Sequence, residues 1–178
     1  MSNILIIKHG SLGDIIQANG AMEDIKKSNQ KSHVVLLTSP LYFELMNKCP
    51  YIDEVLVDKR LPRWNLFYLY NLKKKLLSYN FDQVFDLQNS SRTYFYSKYI
   101  LKNSKWSSTN TTLELNQKKS DFDEEPVLER IEIQLQRSGH SFVRQTKSYF
   151  SLLITHLFIV VRVSHTDGNC IQCLLSFL

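Results

Sequence analysis

Residues 4–14 read Ile-Leu-Ile-Ile-Lys-His-Gly-Ser-Leu-Gly-Asp, which predicts a strand, a loop with two glycines and the start of a helix. The apolar residues that end at Ile7 are typical of a parallel-sheet strand, which is buried on both faces. From Ile15 to Ile25 the apolar residues recur at helical spacing, so this helix can pack on the sheet. The stretch therefore predicts the first strand, loop and helix of an α/β fold.

The alternation of short strands and helices continues along the chain. Further strands are predicted at Val34–Leu37, Glu54–Val57 and Gln83–Leu87, and further helices at 40–47, 65–78 and 126–137. Such alternation implies the α/β class, with a Rossmann-like parallel sheet and right-handed crossovers. Residues 104–119 are rich in Ser, Thr, Asn and Lys and are predicted to form a surface loop.

The length of 178 residues, with 43% hydrophobic residues, allows one sizeable core but not two domains of usual size. We expect one domain over residues 1–137, best supported over 3–105, followed by an unassigned segment at 138–178. The apolar run 149–163 in that segment is shorter than the roughly 20 residues that span a bilayer.

The cysteines predict neither a disulfide framework nor a metal site. Cys49 stands alone, and Cys170 with Cys173 lacks the second ligand pair that a structural zinc site needs. The first residues also lack the pattern of a secretion signal, so we expect a cytoplasmic protein.

The net charge of +5 is concentrated in one part of the chain. Residues 59–105 contain ten basic and two acidic residues, the acids being Asp82 and Asp86. The bases are Lys59, Arg60, Arg63, Lys73, Lys74, Lys75, Arg92, Lys98, Lys102 and Lys105. This segment is expected to attract anions, although a solvated face that serves only solubility explains it equally well. No recognition motif accompanies the charges, so nucleic acid is not expected as a partner.

The loop from Lys8 to Asp14 is the candidate site, because ligands of open parallel sheets bind beyond the carboxyl ends of the strands. Its glycines, Gly10 and Gly13, match neither the dinucleotide-binding nor the P-loop pattern. Thr38 ends the second strand, where an NAD site would need a carboxylate. The sequence therefore argues against a dehydrogenase, and no cofactor is predicted.

Asp14 has two compatible interpretations. As a helix cap, its carboxylate accepts backbone N–H groups and complements the helix dipole. As a general base, it receives the proton of an acceptor hydroxyl, close to the cationic Lys8 at the strand end. Lys8 is also open to a structural interpretation, as a lysine that extends from the strand end to solvent.

Polar residues also follow the fourth strand. Residues 88–92 read Gln-Asn-Ser-Ser-Arg and supply amide, hydroxyl and guanidinium groups that suit sugars and phosphates, or equally turns and helix caps. Because parallel strands end at one edge, we expect Lys8, Asp14 and Gln88 to lie along the same edge of the sheet. His9 is expected to be an exposed loop residue without a function.

Three motifs carry a family resemblance. They are the stretch 4–14, Pro-Tyr-Ile-Asp-Glu-Val at 50–55 and Phe-Asp-Gln-Val-Phe-Asp-Leu-Gln at 81–88. Together they resemble the N-terminal domain of the heptosyltransferases, glycosyltransferase family 9, over about residues 3–105. The resemblance implies the acceptor-side half of a two-domain GT-B enzyme of lipopolysaccharide core biosynthesis.

Such an enzyme transfers a sugar from a nucleotide donor such as ADP-heptose to a lipid-linked inner-core acceptor, with inversion and without a required metal. It acts in the cytoplasm, with peripheral contact to the inner membrane. The resemblance makes Asp14 the general base. The positions that match substrate-binding residues are Lys8, Gly10, Ser11, Gly13, Gln88 and Arg92.

The family pattern of a donor-binding half is not found after residue 137. We therefore expect the chain to lack the donor site, with little or no transferase activity, and residues 138–178 to be what a reading-frame shift or early stop leaves. Two alternatives stay open, a non-catalytic acceptor-binding domain and a truncated pseudoenzyme.

Overall fold

The computed structural model describes residues 2–114 and 117–139. Of the unassigned segment 138–178, all but its first two residues lie outside the described residues. The same holds for the apolar run 149–163 and for Cys170 and Cys173, so their predictions stay predictions.

Within the described residues the strands form one five-stranded sheet. They are β1 (Asn3–Ile7), β2 (His33–Thr38), β3 (Glu54–Val57), β4 (Gln83–Asp86) and β5 (Lys105–Ser107). Their order in the sheet is β3-β2-β1-β4-β5, and all neighbours are parallel. The predicted α/β class and parallel sheet are confirmed.

Helices connect and cover these strands. They are α1 (Leu12–Ser28), α2 (Phe43–Met46), α3 (Leu66–Leu77), α4 (Ser91–Tyr99), α5 (Thr109–Thr112), α6 (Lys119–Glu124) and α7 (Val127–Arg137). A 3₁₀ turn, Pro40–Tyr42, leads into α2. The helices predicted from apolar spacing and caps, namely α1, α3 and α7, lie where the sequence places them.

Alternate residues of the strands pack into two separate cores. Ile4 and Ile6 of β1 pack with α1 and α7, whereas Leu5 and Ile7 pack with α3 and α4. All four side chains are at most 1% exposed. Because successive side chains of a strand point to opposite faces, the continuous apolar run of β1 requires a helical layer on each face.

The prediction of a surface loop over 104–119 is wrong for β5 and for α5, which both lie within it, and α5 carries the buried Thr109 and Thr112. Lys105–Ser107 forms β5, which pairs with β4 from Gln83↔Lys105 to Phe85↔Ser107. A three-residue strand is too short to show an alternating pattern, so its sequence gives no strand signal. Its position depends instead on α7, because the buried Gln134 Nε2 donates to the carbonyls of Asp86 and Ser107, at 3.1 and 2.9 Å.

Candidate active site

The sheet reverses its winding between β1 and β4. The chain runs from β1 outward through β2 and β3, then returns to the other side of β1 as β4. Ile7 pairs with Asp86, so the loops that leave the two strands start at the same level. In open α/β sheets the loops diverge at such a point and leave a crevice, where ligands bind. The predicted site loop, Lys8 to Asp14, begins there.

Asp14 is held by reciprocal hydrogen bonds with Ser11, the residue that caps α1. The Asp14 N–H donates to Ser11 Oγ at 3.4 Å. Asp14 Oδ2 accepts from Ser11 N and from Ser11 Oγ, at 2.8 and 3.0 Å. Asp14 therefore takes part in capping, but as the third helical residue of a capping box rather than as the cap itself.

The same hydrogen bonds determine the ionisation of Asp14. The backbone hydrogen bond from Ser11 holds the pKa of the Asp14 carboxyl below its ordinary value, with help from Ser11 Oγ and the charge of Lys8 and against partial burial. At neutral pH the carboxylate is therefore ionised and fixed in position. Both a cap and a general base require these properties.

Gly10 makes room for Asp14. Its φ of +21° is unfavourable for residues with a side chain. A Cβ atom built on Gly10 would lie 2.7 Å from Asp14 Cβ, closer than two carbon atoms that are not bonded to each other approach in proteins. Gly13 has no such restriction, because the nearest atom to its Cβ position is Ser11 Oγ at 3.8 Å. Of these two glycines, only Gly10 is required by the shape of the site.

Lys8 is buried, so the interpretation as a lysine that extends to solvent is wrong. Its side chain is 4% exposed, and Nζ donates to the carbonyl of Leu87 at 3.0 Å, across from β1 to the end of β4. Burial lowers the pKa of Lys8, and the negative charges of Asp14 and Asp86 act against this. The Lys8 side chain is therefore buried in the crevice, where the charges of Asp14 and Asp86 favour its cationic form against the effect of burial.

Gln88 fastens the site loop to the end of β4. Its Oε1 accepts hydrogen bonds from the backbone N–H groups of His9 and Gly10, both at 2.9 Å. Asp86 supports this arrangement, since its Oδ1 accepts from the backbone of Gln88 at 3.1 Å. Lys8, Asp14 and Gln88 thus lie at one edge of the sheet, as the sequence predicts.

Asp58, which sequence reasoning missed, is a fully buried carboxylate directly after β3. His9 Nε2 lies 3.1 Å from its Oδ2. The hydroxyl of Tyr96 donates to Oδ2 at 2.6 Å, the hydroxyl of Tyr68 donates to Oδ1, and the Arg60 N–H donates to Oδ1 at 2.7 Å. Burial alone would raise the pKa of Asp58, but the close contact with His9 foremost, with the hydrogen bonds from Tyr68, Tyr96 and the Arg60 N–H, holds it well below its ordinary value.

The expectation that His9 is exposed is therefore wrong. Its side chain is 1% exposed because its ring faces Asp58, and its carbonyl accepts from Ser39 Oγ at 3.1 Å. His9 thus joins the ends of β1, β2 and β3. The sequence did contain one sign that Asp58 belongs to the site: Asp58 directly follows β3, just as Lys8 directly follows β1.

Arg92 belongs to the same network. Its Nε donates to Tyr96 Oη at 2.5 Å and lies 3.4 Å from Asp58 Oδ2, and its Nη2 donates to the carbonyl of Leu61 at 2.8 Å. The guanidinium therefore uses its Nε–H and one Nη2–H for contacts inside the protein. The predicted role of Arg92 in binding substrate therefore depends on the other N–H groups of its guanidinium.

A cavity of about 610 Å³ opens next to the start of α4. Its lining combines hydroxyl, amide and ammonium groups, from Ser90, Ser91, Tyr94, Ser97, Lys98, Asn110, Thr111 and Lys119. Hydroxyls and lysines in this number suit a ligand that carries hydroxyl and phosphate groups. The cavity begins two residues after Gln88, although Asp14 is not part of its lining.

Over 2–114 and 117–139, no group of three His, Cys, Asp or Glu side chains is arranged to hold a metal ion. In the same residues, no helix is both long and apolar enough to cross a membrane.

No protein-family model matches the chain. A Haemophilus influenzae protein named "Putative glycosyltransferase" is 37% identical over 60 residues, which are 34% of this chain and 17% of that protein. The sequence likeness is therefore clear but short.

Solved structures match more of the chain at lower identity. A glycosyltransferase family 9 protein from Veillonella parvula matches 83% of this chain and 44% of its own, with a TM-score of 0.58 and 17% identity. The E. coli heptosyltransferase WaaC with ADP-2-deoxy-2-fluoro heptose matches 83% of this chain and 51% of its own, with a TM-score of 0.59 and 15% identity. The chain spans about half the length of these structures. By its fold, the chain therefore resembles the glycosyltransferase family 9 heptosyltransferases, over the half of those structures that it covers.

Proposed function

We propose that the chain is the acceptor-binding half of a heptosyltransferase-like glycosyltransferase of lipopolysaccharide core biosynthesis. The observation that carries the proposal is the Asp14 carboxylate, which Ser11 fixes at the start of α1 in the loop that opens where the sheet reverses its winding. The proposed reaction transfers a sugar from a nucleotide donor such as ADP-heptose to a lipid-linked inner-core acceptor. It takes place in the cytoplasm at the inner membrane.

In this proposal Asp14 accepts the proton of the attacking acceptor hydroxyl. A carboxylate that is ionised at neutral pH is ready to accept a proton, and its fixed position avoids reorganisation during the reaction. The charge of Asp14 favours the cationic form of Lys8, and Gln88 holds the loop of Gly10, Ser11 and Gly13 in shape. Deprotonation of a hydroxyl by a carboxylate needs no metal ion, which agrees with the inverting, metal-independent chemistry that the resemblance implies.

The acceptor carries sugar hydroxyls and phosphates. The cavity beside α4 offers groups of the right chemistry, with two lysines and several hydroxyls in its lining. Arg92 follows Ser91 in the sequence, and in this proposal the N–H groups that do not contact Asp58, Tyr96 or Leu61 bind the acceptor.

Transfer requires donor and acceptor to be held together in a reactive geometry, which contributes a large part of the rate. We therefore propose that these 178 residues alone bind the acceptor but show little or no turnover. A non-catalytic acceptor-binding module, including a truncated pseudoenzyme, is the alternative that the same site supports.

Calorimetric titration of the chain tests this proposal. We expect saturable binding of a phosphorylated inner-core acceptor, weaker binding of the same acceptor after removal of its phosphates, and no binding of ADP-heptose. Equal binding of the nucleotide sugar would contradict the acceptor-side assignment. A transfer assay with both substrates is expected to show no product, and robust turnover would contradict the proposed inactivity of the chain alone.

A further inference from the structure

The guanidinium of Arg92 is held by three partners. Its Nε donates to Tyr96 Oη at 2.5 Å and lies 3.4 Å from Asp58 Oδ2. Its Nη2 donates to the carbonyl of Leu61 at 2.8 Å. An arginine side chain has many rotamers in water, so these contacts select one orientation before any ligand binds.

Tyr96 links Arg92 to a buried negative charge. Its hydroxyl accepts from Arg92 Nε and donates to Asp58 Oδ2 at 2.6 Å. Both Tyr96 and Asp58 are fully buried. Hydrogen bonds to charged groups are stronger than neutral ones, and successive bonds in a buried chain polarise one another. The contact between Tyr96 and Arg92 is therefore a strong constraint on the guanidinium.

These contacts leave part of the guanidinium available. Arginine carries five N–H groups, one on Nε and two on each Nη. Among the described residues, the partners of Arg92 use the Nε–H and one N–H of Nη2. Both N–H groups of Nη1 and one of Nη2 are without a partner in that part of the chain. Since the side chain is 12% exposed, solvent reaches part of it.

The remaining N–H groups are not needed to neutralise Asp58. The charge and the Nε–H of Arg92 are enough for that ion pair, which a lysine would also form. A guanidinium differs from an ammonium group because its planar N–H groups bind two oxygens of one phosphate or carboxylate at once. N–H groups on both Nη atoms therefore suit an anionic group, whereas a neutral sugar hydroxyl needs no such pair.

We propose that Tyr96 is a positioning residue, which together with Asp58 orients Arg92 so that its remaining N–H groups bind a phosphate or carboxylate group of the acceptor. This inference rests on the proposed function, because that function supplies an anionic acceptor. An orientation that is fixed before binding lowers the entropic cost of binding. Tyr96 is buried and acts only through Arg92.

Nuclear magnetic resonance of the guanidinium tests the positioning role without any ligand. In the wild type, rotation of the Arg92 guanidinium about its Nε–Cζ bond should be slow, so that the two Nη nitrogens give separate signals. Tyr96→Phe should speed this rotation and merge the signals. Tyr68→Phe is the matched control, because the Tyr68 hydroxyl donates to Asp58 Oδ1 and not to Arg92. It removes the same kind of hydrogen bond from Asp58 and should leave the rotation of Arg92 slow.

Titration with small sugars tests the class of ligand. The probes are glucose 6-phosphate, glucuronate and glucose, which separate a phosphate from a carboxylate and both from a sugar without charge. Backbone amides of α4 report binding in every variant. We expect the wild type to bind at least one of the two anions more tightly than glucose. Arg92→Lys keeps the charge but loses the planar N–H groups, so it should weaken binding of that anion about tenfold or more.

Variants of the two tyrosines separate positioning from a general structural role. Tyr96→Phe should weaken binding of the anion about two- to tenfold, because a long side chain must then be ordered on binding. Tyr68→Phe should bind as the wild type does, and so should Lys31→Gln, an exposed position before the amino end of β2. The double variant Tyr96→Phe/Arg92→Lys should bind as weakly as Arg92→Lys alone, since Tyr96 acts only through Arg92.

The proposal is overturned if Tyr96→Phe and Tyr68→Phe have the same effect on the rotation of Arg92 or on anion binding. It is also overturned if the losses from Tyr96→Phe and Arg92→Lys add in the double variant. The same holds if the wild type binds glucose as tightly as the anions, or binds none of the three sugars. These outcomes leave the proposed function standing, because the calorimetric titration with the whole acceptor decides that separately.

Discussion

Replacement of Gly10 by alanine tests whether the site loop depends on the absence of a side chain. The new Cβ would lie 2.7 Å from Asp14 Cβ at a φ of +21°, so the loop must move. A left-handed conformation costs a residue with a side chain about 1–2 kcal/mol, and loss of the Ser11–Asp14 cap costs about 1 kcal/mol more. We therefore expect Gly10→Ala to lower the free energy of unfolding by about 2–3 kcal/mol.

Urea unfolding followed by circular dichroism measures this loss, and a thermal scan should show a fall in Tm of about 5–10 °C for a chain of this size. Gly13→Ala is the matched control, since its new Cβ meets only Ser11 Oγ at 3.8 Å. Alanine there should be neutral or stabilising by up to about 1 kcal/mol, because glycine is a poor helix residue. The reasoning is refuted if Gly10→Ala is as stable as the wild type, or if both variants lose the same free energy.

Three further changes test other parts of the site. Tyr96→Phe removes a hydrogen bond to the buried Asp58 carboxylate and should lower the free energy of unfolding by about 1.5–3 kcal/mol at neutral pH, whereas the exposed Tyr99→Phe should have no effect. The pKa of Asp58 in the folded state lies below its value in the unfolded state. The stabilisation is therefore present above about pH 4 and is lost as the pH falls toward the folded-state pKa. The free energies of unfolding of wild type and Tyr96→Phe, measured in urea, should converge in acid. Asp14→Asn should change the free energy of unfolding by at most about 1 kcal/mol. In a protein that also carries the donor half, the same change should lower turnover by a factor of about 10²–10⁴. Near-normal turnover would show that Asp14 is a capping residue only. Gln88→Ala should speed hydrogen exchange at the His9 and Gly10 amides, which donate to Gln88 Oε1 in the wild type. Gln88→Glu keeps an acceptor oxygen and should keep both amides protected. Equal protection in the wild type and both variants would show that the side chain does not hold the loop.

The sequence allowed the central part of the fold to be predicted, because apolar runs and helical spacing are local patterns. β1 shows the apolar run and α1 the helical spacing, and because parallel strands end at one edge, Lys8, Asp14 and Gln88 were expected together there. β5 escaped prediction, since three residues with the pattern Lys-Trp-Ser carry no periodic signal and their pairing depends on Gln134, far along the chain.

The part of the site that was missed depends on contacts between distant residues. Whether a histidine after a strand is exposed or buried depends on the side chains at the ends of other strands, including strands that are not its direct neighbours in the sheet. For His9 that side chain is Asp58, 49 residues later, with the hydroxyls of Tyr68 and Tyr96 beside it. A local reading of either residue gives no reason to pair them.

The hydrogen bond from Gly10 to Gln88 joins residues 78 positions apart in the sequence. Closing a loop of that length is entropically costly, and contacts of high sequence separation form late relative to local helices. Although α1 can form its first turn from residues 11–14 alone, the loop before it takes its final shape only when β4 has paired with β1. In pulsed hydrogen exchange during refolding, the His9 and Gly10 amides should therefore gain protection together with β4 and after the amides of α1.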